Sequence, residues 1–316
     1  MWILSGVDLQ GVWAALRSAN PLGLLCLGLF FPLGTLLTAS RWRLLLRSQG
    51  HDFGIGYLFG SIMVALFVRQ LLPTTVGGDL VRAYDSWRGG AGKLTAVTTL
   101  VVERLLGVLM LACGAILGLA LSTELRAENP SLSVVLVAGA SAIVAVLALV
   151  FAQPHGMMAT LQGLSARVGS IAFFDRALAS IAGFRRRYAV LAGALGISAL
   201  MMVQTVVFYY LIGWTLDLPV RLATFFLIVP LALFVMLAPI SINGIGLREG
   251  IFVLLLGRYG VPPDSALAFA WMEYGLFLLF GLLGGIVYVL RRRGPRVGGP
   301  ADSMPVSEIP RRNGGS

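Results

Sequence analysis

Five long runs of apolar residues limit the folds open to this sequence. They are Pro21–Ala39, Leu94–Leu121, Leu132–Ala152, Tyr188–Leu216 and Ala266–Leu290. A helix needs about 20 mostly apolar residues to cross a bilayer. Only 12% of the residues are charged, whereas soluble domains contain about 25%, so too few polar side chains are present to cover a surface in water. The runs therefore predict an all-α, polytopic integral membrane protein with about five spanning helices.

Two further apolar stretches each end at a proline and are followed by a short second segment. The first pair is Gly56–Leu72 and Gly78–Trp87 on either side of Pro73, and the second is Leu222–Ala238 and Gly250–Gly257 on either side of Pro239. Each second segment is too short or too polar to cross a membrane alone. We interpret each pair as a re-entrant hairpin, which enters the membrane part-way and returns on the same side. A single full crossing is the alternative.

The distribution of lysine and arginine favours the hairpins. If the first span runs inward, 16 of the 24 basic residues lie inside and 4 lie outside; the others, in the breaks or the membrane, are Arg69, Arg82, Arg104 and Arg248. Interpreting each hairpin as one crossing would place the basic loop Arg167–Arg187 outside, against the positive-inside rule. This predicts an external N-terminus and a cytoplasmic C-terminus.

One membrane domain is expected to cover residues 1–292. Its halves are approximately 20–121 and 188–290, linked by 131–187. Within the link, 156–188 mixes apolar residues with scattered arginines, which indicates an interfacial amphipathic helix; a plain linker is the alternative. Residues 293–316 are rich in Pro, Gly, Ser and charge, which predicts a disordered cytoplasmic tail.

The two breaks share a pattern of proline, glycine and arginine. The first reads PTTVGGDLVR and the second PISINGIGLR, so that three residue types coincide: Pro73 with Pro239, Gly78 with Gly244, and Arg82 with Arg248. In the next span of each half, a glutamate follows an alanine by seven residues, at Glu103 and at Glu273. Because the hairpins open on opposite sides, the pattern predicts an inverted-topology repeat, the plan of many secondary transporters.

The chemistry these residues favour is anion binding. Glycines after a proline let the chain turn and expose N–H groups, helix N-termini attract anions, and arginine offers a planar fork suited to phosphate. The candidate residues for binding a lipid headgroup are Gly77, Gly78, Arg82, Gly244, Gly246 and Arg248; those for gating or coupling are Glu103, Arg104, Glu249 and Glu273; and Pro73 and Pro239 are structural breaks.

We predict that Glu103 and Glu273 pair with the arginines and release them to a phosphate; a glutamate that takes up a proton would also couple transport to protons. Plainer interpretations of single residues remain open. Asp79 and Arg82 would form an interfacial ion pair, Glu249 would satisfy the start of a helix, and Arg69 would be structural. The two Gly-x-x-x-Gly motifs, at 114–118 and 281–285, indicate helix packing faces, with a homodimer contact as the alternative.

Several function classes are not expected. The basic residues mostly flank apolar runs, so the net charge of +10 indicates orientation and headgroup contact, not nucleic-acid binding. The two histidines lie far from the motifs, the two cysteines lie inside apolar runs, and the sequence has no Asp-x-Asp. We therefore predict no catalytic residue, no metal site and no cofactor.

Three segments resemble the flippase-like membrane domain family. They are LLPTTVGGDLVRAY, AVTTLVVERLLGVL and LAPISINGIGLREGIFVLLLGRYGV, and the resemblance covers roughly residues 10 to 292. The best-known member is the membrane half of bacterial lysylphosphatidylglycerol synthase/flippase proteins. The residues that match its pattern are Pro73, Gly77, Arg82, Glu103, Arg104, Pro239, Gly244, Gly246, Arg248 and Glu249.

The resemblance implies a multi-pass protein of a bacterial-type inner (plasma) membrane that translocates lipid. Its partners would be membrane lipids with anionic headgroups: a phospholipid, aminoacyl-phosphatidylglycerol, a polyprenyl phosphate or a glycolipid. Two departures are Gly78–Asp79, where many members carry a glutamate, and Gly107, which replaces an acidic residue. No soluble aminoacyl-transferase domain follows, so synthase activity is not expected. The alternatives are a membrane anchor for a separate lipid-modifying enzyme and an integral-membrane transferase.

Overall fold

The computed structural model describes residues 9–72, 77–121, 134, 137–145, 187–236 and 246–293. Within these ranges all the regular elements are helices, which confirms the predicted all-α class. The helices are α1 (Leu9–Arg17), α2 (Pro21–Ser48), α3 (Ile55–Leu71), α4 (Gly77–Arg88), α5 (Lys93–Leu121), α6 (Tyr188–Thr215), α7 (Leu222–Val235), α8 (Leu247–Gly257) and α9 (Pro263–Arg293).

Four of the five predicted spans are present as long apolar helices. Among the described residues, α2, α5, α6 and α9 are long and apolar enough to cross a membrane. The fifth predicted span, Leu132–Ala152, is described only at residues 134 and 137–145, which are helical. The interfacial segment as far as residue 186 and the tail from residue 294 lie outside the described residues.

Helix α2 extends further than its apolar run predicts. Asn20 caps it, because its side-chain oxygen accepts a hydrogen bond from the N–H of Leu22 at 2.9 Å, and a proline occupies the first position. No glycine or proline occurs between Gly34 and Gly50, so the helix continues past Ala39 to Ser48. Arg41, one of the 16 basic residues counted on the inside, is therefore within the helix and only 7% exposed.

Helices α3 and α4 form an antiparallel hairpin. The hydroxyl of Tyr57, near the start of α3, donates to the carbonyl of Asp85, near the end of α4, at 3.0 Å. Further along α3, a Cβ built on Gly78 would lie 3.0 Å from the carbonyl oxygen of Ala65. Because α3 has 17 residues, it is about 25 Å long, shorter than the roughly 30 Å hydrocarbon core. The predicted first hairpin is thus present as a helical pair.

The first hairpin begins and ends in one place. Phe53, before α3, and Ala91, after α4, belong to the same small buried apolar cluster. Val220, before α7, and Val261, after α8, both belong to the larger apolar core, which also holds the rings of α6, α7, α8 and α9. The second hairpin is therefore anchored at both ends in this core.

Helices α2 and α6 run antiparallel at the centre of the fold. The N–H of Asn20, just before α2, donates to the carbonyl of Thr215, at the end of α6, at 2.9 Å. Towards the other end, Arg41 donates to the hydroxyl of Ser198 at 2.8 Å. The C-terminal ends of α2 and α6 thus lie at opposite ends of the pair. Since each hairpin follows one of these ends directly, the two hairpins open in opposite directions.

Each short apolar helix packs on the long helix of the other half: α3 on α9, and α7 on α5. Glycines make both contacts close. A Cβ on Gly285 of α9 would lie 3.0 Å from the ring of Phe67, and one on Gly118 of α5 would lie 2.9 Å from the Cα of Leu227. The two Gly-x-x-x-Gly motifs are therefore helix packing faces within the chain, as one of the two interpretations predicts.

Candidate functional site

Two buried arginine–glutamate ion pairs occupy corresponding places in the two halves. Glu103 on α5 and Glu273 on α9 each lie ten residues after the first residue of their helix, and each is 2% exposed. Arg82 of α4 pairs with the first and Arg248 of α8 with the second; both arginine side chains are 11% exposed. The predicted pairing of glutamates with arginines is therefore observed in both halves.

The first pair is held by an aromatic ring and a second carboxylate. An Nη atom of Arg82 donates to Glu103, and its guanidinium lies 4.3 Å from the ring centroid of Trp42 on α2. Asp79, one turn earlier on α4, is 4.0 Å away. The predicted interfacial pair of Asp79 and Arg82 is thus the longer contact, and the buried glutamate is the main partner. Stacking on an indole also stabilises the guanidinium.

Arg41 is a member of the site that the sequence analysis missed. Its Nε lies 3.4 Å from Glu103, and its Nη1 donates to the Ser198 hydroxyl of α6 at 2.8 Å. Glu103 is consequently flanked by two guanidiniums, from α2 and α4. The available signal was local: α2 has no helix breaker before Gly50, and three leucines follow Arg43, which places Arg41 inside a helix and not in a loop.

Arg104 and Asp79 form a more exposed ion pair beside the first glutamate. The Nε of Arg104 donates to Asp79 Oδ2 at 2.7 Å, and its side chain is 56% exposed. This contact joins α5 to the start of α4. It places the predicted gating residue Arg104 next to the Glu103 pair.

The second pair has a phenol where the first has an extra arginine. Arg248 Nε lies 3.5 Å from Glu273 Oε2, and the Tyr209 hydroxyl of α6 donates to Oε1 at 2.5 Å. The guanidinium also lies 5.9 Å from the ring centroid of Tyr274. Tyr209 was missed by the sequence analysis, because an aromatic residue in an apolar run has no sequence signal of its own. The central helices α2 and α6 thus each supply a side chain to one glutamate.

Both arginines keep unused hydrogen-bonding capacity. The Nε atom of Arg82 is buried without a hydrogen-bond partner among the described residues; Arg248 Nε and Glu273 Oε2 face each other at 3.5 Å in the ion pair without forming a hydrogen bond. A buried polar atom without a partner costs about 1–3 kcal/mol. The two pairs are therefore not fully satisfied as they stand.

The predicted glycines turn out to have packing and conformational roles. A Cβ on Gly77 would lie 2.7 Å from Leu72, and Gly78 packs on α3. Gly246 has φ of +82°, which favours glycine, and its N–H donates to the Glu249 carboxylate at 2.6 Å. Glu249 therefore caps α8, as the plainer interpretation predicts. The remaining predicted residues, Pro73, Pro239 and Gly244, lie outside the described residues.

Comparison with known families agrees with the motifs. The family model described as the lysylphosphatidylglycerol synthase TM region matches residues 1–291. The chain belongs to this family. No curated protein matches the chain. The matched residues include both ion pairs, both hairpins and the helices α2 and α6 between them, so the whole candidate site lies within the part that defines the family.

In this family member the site offers charge and hydrogen bonds. Among the described residues, no group of three His, Cys, Asp or Glu side chains could hold a metal ion. What the site presents is guanidinium forks, held against buried carboxylates between the helices. A fork that fits a carboxylate also fits a phosphate, because both present two oxygens in one plane.

Proposed function

We propose that this chain is a lipid transporter of the flippase type, which binds an anionic lipid headgroup in a cavity between two halves related as an inverted-topology repeat. The observation that carries the proposal is the duplicated buried ion pair, Arg82 with Glu103 and Arg248 with Glu273. A membrane anchor for a separate enzyme has no need for two such pairs. The opposed hairpins support one pair being reached from each side of a bacterial-type inner membrane, with the N-terminus outside.

The proposed mechanism is an exchange of anions around each arginine. A charge at bilayer depth costs about 2.5–3.5 kcal/mol on insertion scales, so each guanidinium needs an anion at all times. The glutamate is that anion when no headgroup is bound, and the phosphate replaces it when one is. The buried Nε atom of Arg82, which has no hydrogen-bond partner among the described residues, offers an incoming phosphate oxygen a hydrogen bond that Glu103 does not use, and the Nε of Arg248 would exchange its 3.5 Å contact with Glu273 for one to the phosphate.

The arrangement of the two halves supports alternation between the two pairs. Transporters with inverted repeats expose a central site first to one side and then to the other as the halves move. Helices α3 and α7 each pack on the opposite half, so movement of one half against the other shifts a hairpin together with its arginine. The headgroup would pass from one pair to the other while the acyl chains stay in lipid.

The test is the lipid that co-purifies with the full chain. The wild type should be enriched in one anionic class over the bulk membrane. Arg82→Ala and the double variant Arg248→Ala/Glu273→Gln should each lose that enrichment, measured by mass spectrometry of extracted lipids. The double variant avoids leaving Glu273 buried without its arginine.

Arg43→Ala is the matched control, since Arg43 forms only a partly exposed ion pair with Asp52 at 3.0 Å. It should keep the wild-type lipids. Transport is then scored with the enriched lipid in proteoliposomes. The same bulk lipid mixture on the wild type and on both site variants would overturn the proposal and favour an anchor for a separate lipid-modifying enzyme.

A further inference from the structure

One arginine of the membrane region stands apart from the ion pairs. Arg69 lies in the last turn of α3, and its side chain is exposed. Its guanidinium makes no ion pair or hydrogen bond to another residue that the structure describes. By contrast, Arg41, Arg82 and Arg248 each contact a buried glutamate.

The position of Arg69 on α3 places it beside the first half-site. Ala65 and Arg69 are four residues apart, so they lie on one face of the helix. That face contacts the start of α4, because the carbonyl of Ala65 packs on Gly78. Helical side chains lean towards the N-terminus of their helix, which brings Arg69 over this contact. The start of α4 at this contact also carries Asp79, which pairs with Arg104.

The same turn of α3 also reaches the second half-site. Gln70, the next residue, donates to the carbonyl of Phe277 on α9, one turn after Glu273. The turn of α3 that carries Arg69 therefore lies close to both half-sites.

The packing of the fold does not require this arginine. The break at Pro239 follows the break at Pro73 by 166 residues, and the same shift applied to Arg69 gives Val235, at the end of α7. Helix α7 packs on α5 as α3 packs on α9, with an apolar residue at this place. A cation at bilayer depth that packing does not need is a candidate for ligand binding.

Counted together with Arg69, the two half-sites contain one positive charge in excess. They hold five guanidiniums and four carboxylates: Arg41, Arg69, Arg82, Arg104 and Arg248 against Asp79, Glu103, Glu249 and Glu273. The break segments 73–76 and 237–245 contain no charged residue. A phosphodiester headgroup with one negative charge, such as phosphatidylglycerol, would neutralise this excess.

We infer that Arg69 binds the headgroup phosphate between the two ion pairs and makes the site selective for headgroups of net negative charge. This rests on the proposed function and adds both a residue and a lipid class to it. A headgroup aminoacylated with lysine carries two ammonium groups and is net positive, so it is disfavoured beside an open guanidinium. Zwitterionic headgroups should bind with an affinity between those of the net-negative and the net-positive headgroups.

Binding of dioctanoyl lipids to the detergent-solubilised full chain tests the inference. Phosphatidylglycerol should bind the wild type more tightly than phosphatidylcholine or lysyl-phosphatidylglycerol. Arg69→Gln should weaken phosphatidylglycerol binding at least about tenfold, the effect of one charge-assisted hydrogen bond, and Arg69→Lys should weaken it less. Neither variant should lower the unfolding midpoint, since Arg69 has no described partner to lose. Arg43→Gln should bind as the wild type does.

The outcomes separate the inference from the proposed function. If the wild type and Arg69→Gln both prefer phosphatidylglycerol equally while Arg82→Ala does not, Arg69 is not a headgroup ligand and the proposed function stands. If the wild type shows no preference for any anionic lipid, the proposed function fails. Lysyl-phosphatidylglycerol binding as tightly as phosphatidylglycerol would overturn the charge selectivity. Inorganic phosphate binding as tightly as the lipid would replace the lipid site with a free-phosphate site.

Discussion

The two buried glutamates differ in how many cations hold them. Glu103 contacts the guanidiniums of Arg82 and Arg41. Glu273 contacts one, that of Arg248, together with the hydroxyl of Tyr209. A buried charge that loses its only opposite charge is far more costly than one that keeps a second. The two half-sites, similar in sequence, should therefore respond differently to loss of their arginine.

We expect Arg248→Ala to destabilise the protein by about 3–5 kcal/mol, the usual cost of breaking a buried ion pair. Arg82→Ala should cost clearly less, because Arg41 still faces Glu103 at 3.4 Å. Unfolding by sodium dodecyl sulfate in mixed micelles, followed by circular dichroism, measures both. Adding Glu273→Gln to Arg248→Ala should restore much of the lost stability. Equal losses for the two single variants, or no restoration, would contradict the asymmetry.

At the scale of the helices, glycines control how close the halves come. On α9, a Cβ at Gly281, Gly284 or Gly285 would clash with side chains or backbone of α3. On α5, Gly114 and Gly118 play the same part towards α7 and α6. Small residues at such contacts are the common basis of helix association in membranes, where the hydrophobic effect does not drive helices together.

Gly284→Ala should therefore lower stability, and Gly275→Ala on the same helix should not. The added methyl at 284 overlaps the carbonyl oxygen of Met63, whereas nothing lies within 4 Å of one at 275. Overpacking costs about 1–3 kcal/mol, while alanine is a better helix former than glycine by about 0.5–1 kcal/mol. Thermal midpoints from size-exclusion chromatography of heated samples should thus move in opposite directions. A common direction would show that α3 and α9 do not pack this closely.

The apolar runs were enough to predict α2, α5, α6 and α9, because length and hydropathy decide whether a helix can span. They did not predict where α2 ends. Counting basic residues placed Arg41 on the inside, but it did not show that Arg41 is buried against Glu103. The two residues are 62 positions apart in the sequence, so no local sequence pattern could indicate their contact. A charged residue near the end of an apolar run is satisfied by water or by protein, and only the packed structure decides which.

The site residues also divide into those that the sequence indicated and those that only the packed structure revealed. Arg82, Arg248, Glu103 and Glu273 could be found because their motifs occur twice in the sequence. Arg41 on α2 and Tyr209 on α6 are not part of a motif that occurs in both halves, so no repeat indicated them. The glycines were predicted as anion-binding backbone, but Gly77 and Gly78 pack on α3 and its C-terminal turn. A glycine after a proline has the same sequence appearance in both roles.

For the whole molecule, the decisive feature is the opposed direction of the two hairpins. The antiparallel pair of α2 and α6 separates the two hairpin openings, one at each end. If the fold lies in the membrane as proposed, the base of the α3–α4 hairpin faces inside and that of α7–α8 faces outside. Each ion pair is then nearer to the water on a different side, as alternating access requires.

Single cysteines at the four hairpin ends test this arrangement. With Cys26 and Cys113, the two cysteines of the sequence, replaced by alanine, Gly54→Cys and Gly92→Cys lie at the base of the first hairpin, and Arg221→Cys and Pro262→Cys at the base of the second. All four positions are exposed. In intact cells, a membrane-impermeant maleimide should label positions 221 and 262 and should label 54 and 92 only after permeabilisation. Labelling of 54 and 92 from opposite sides would mean that α3 and α4 cross the membrane together, which the Tyr57–Asp85 contact at their base argues against. Labelling of all four from one side would remove the inverted repeat, and with it the reason to expect one ion pair on each side of the membrane.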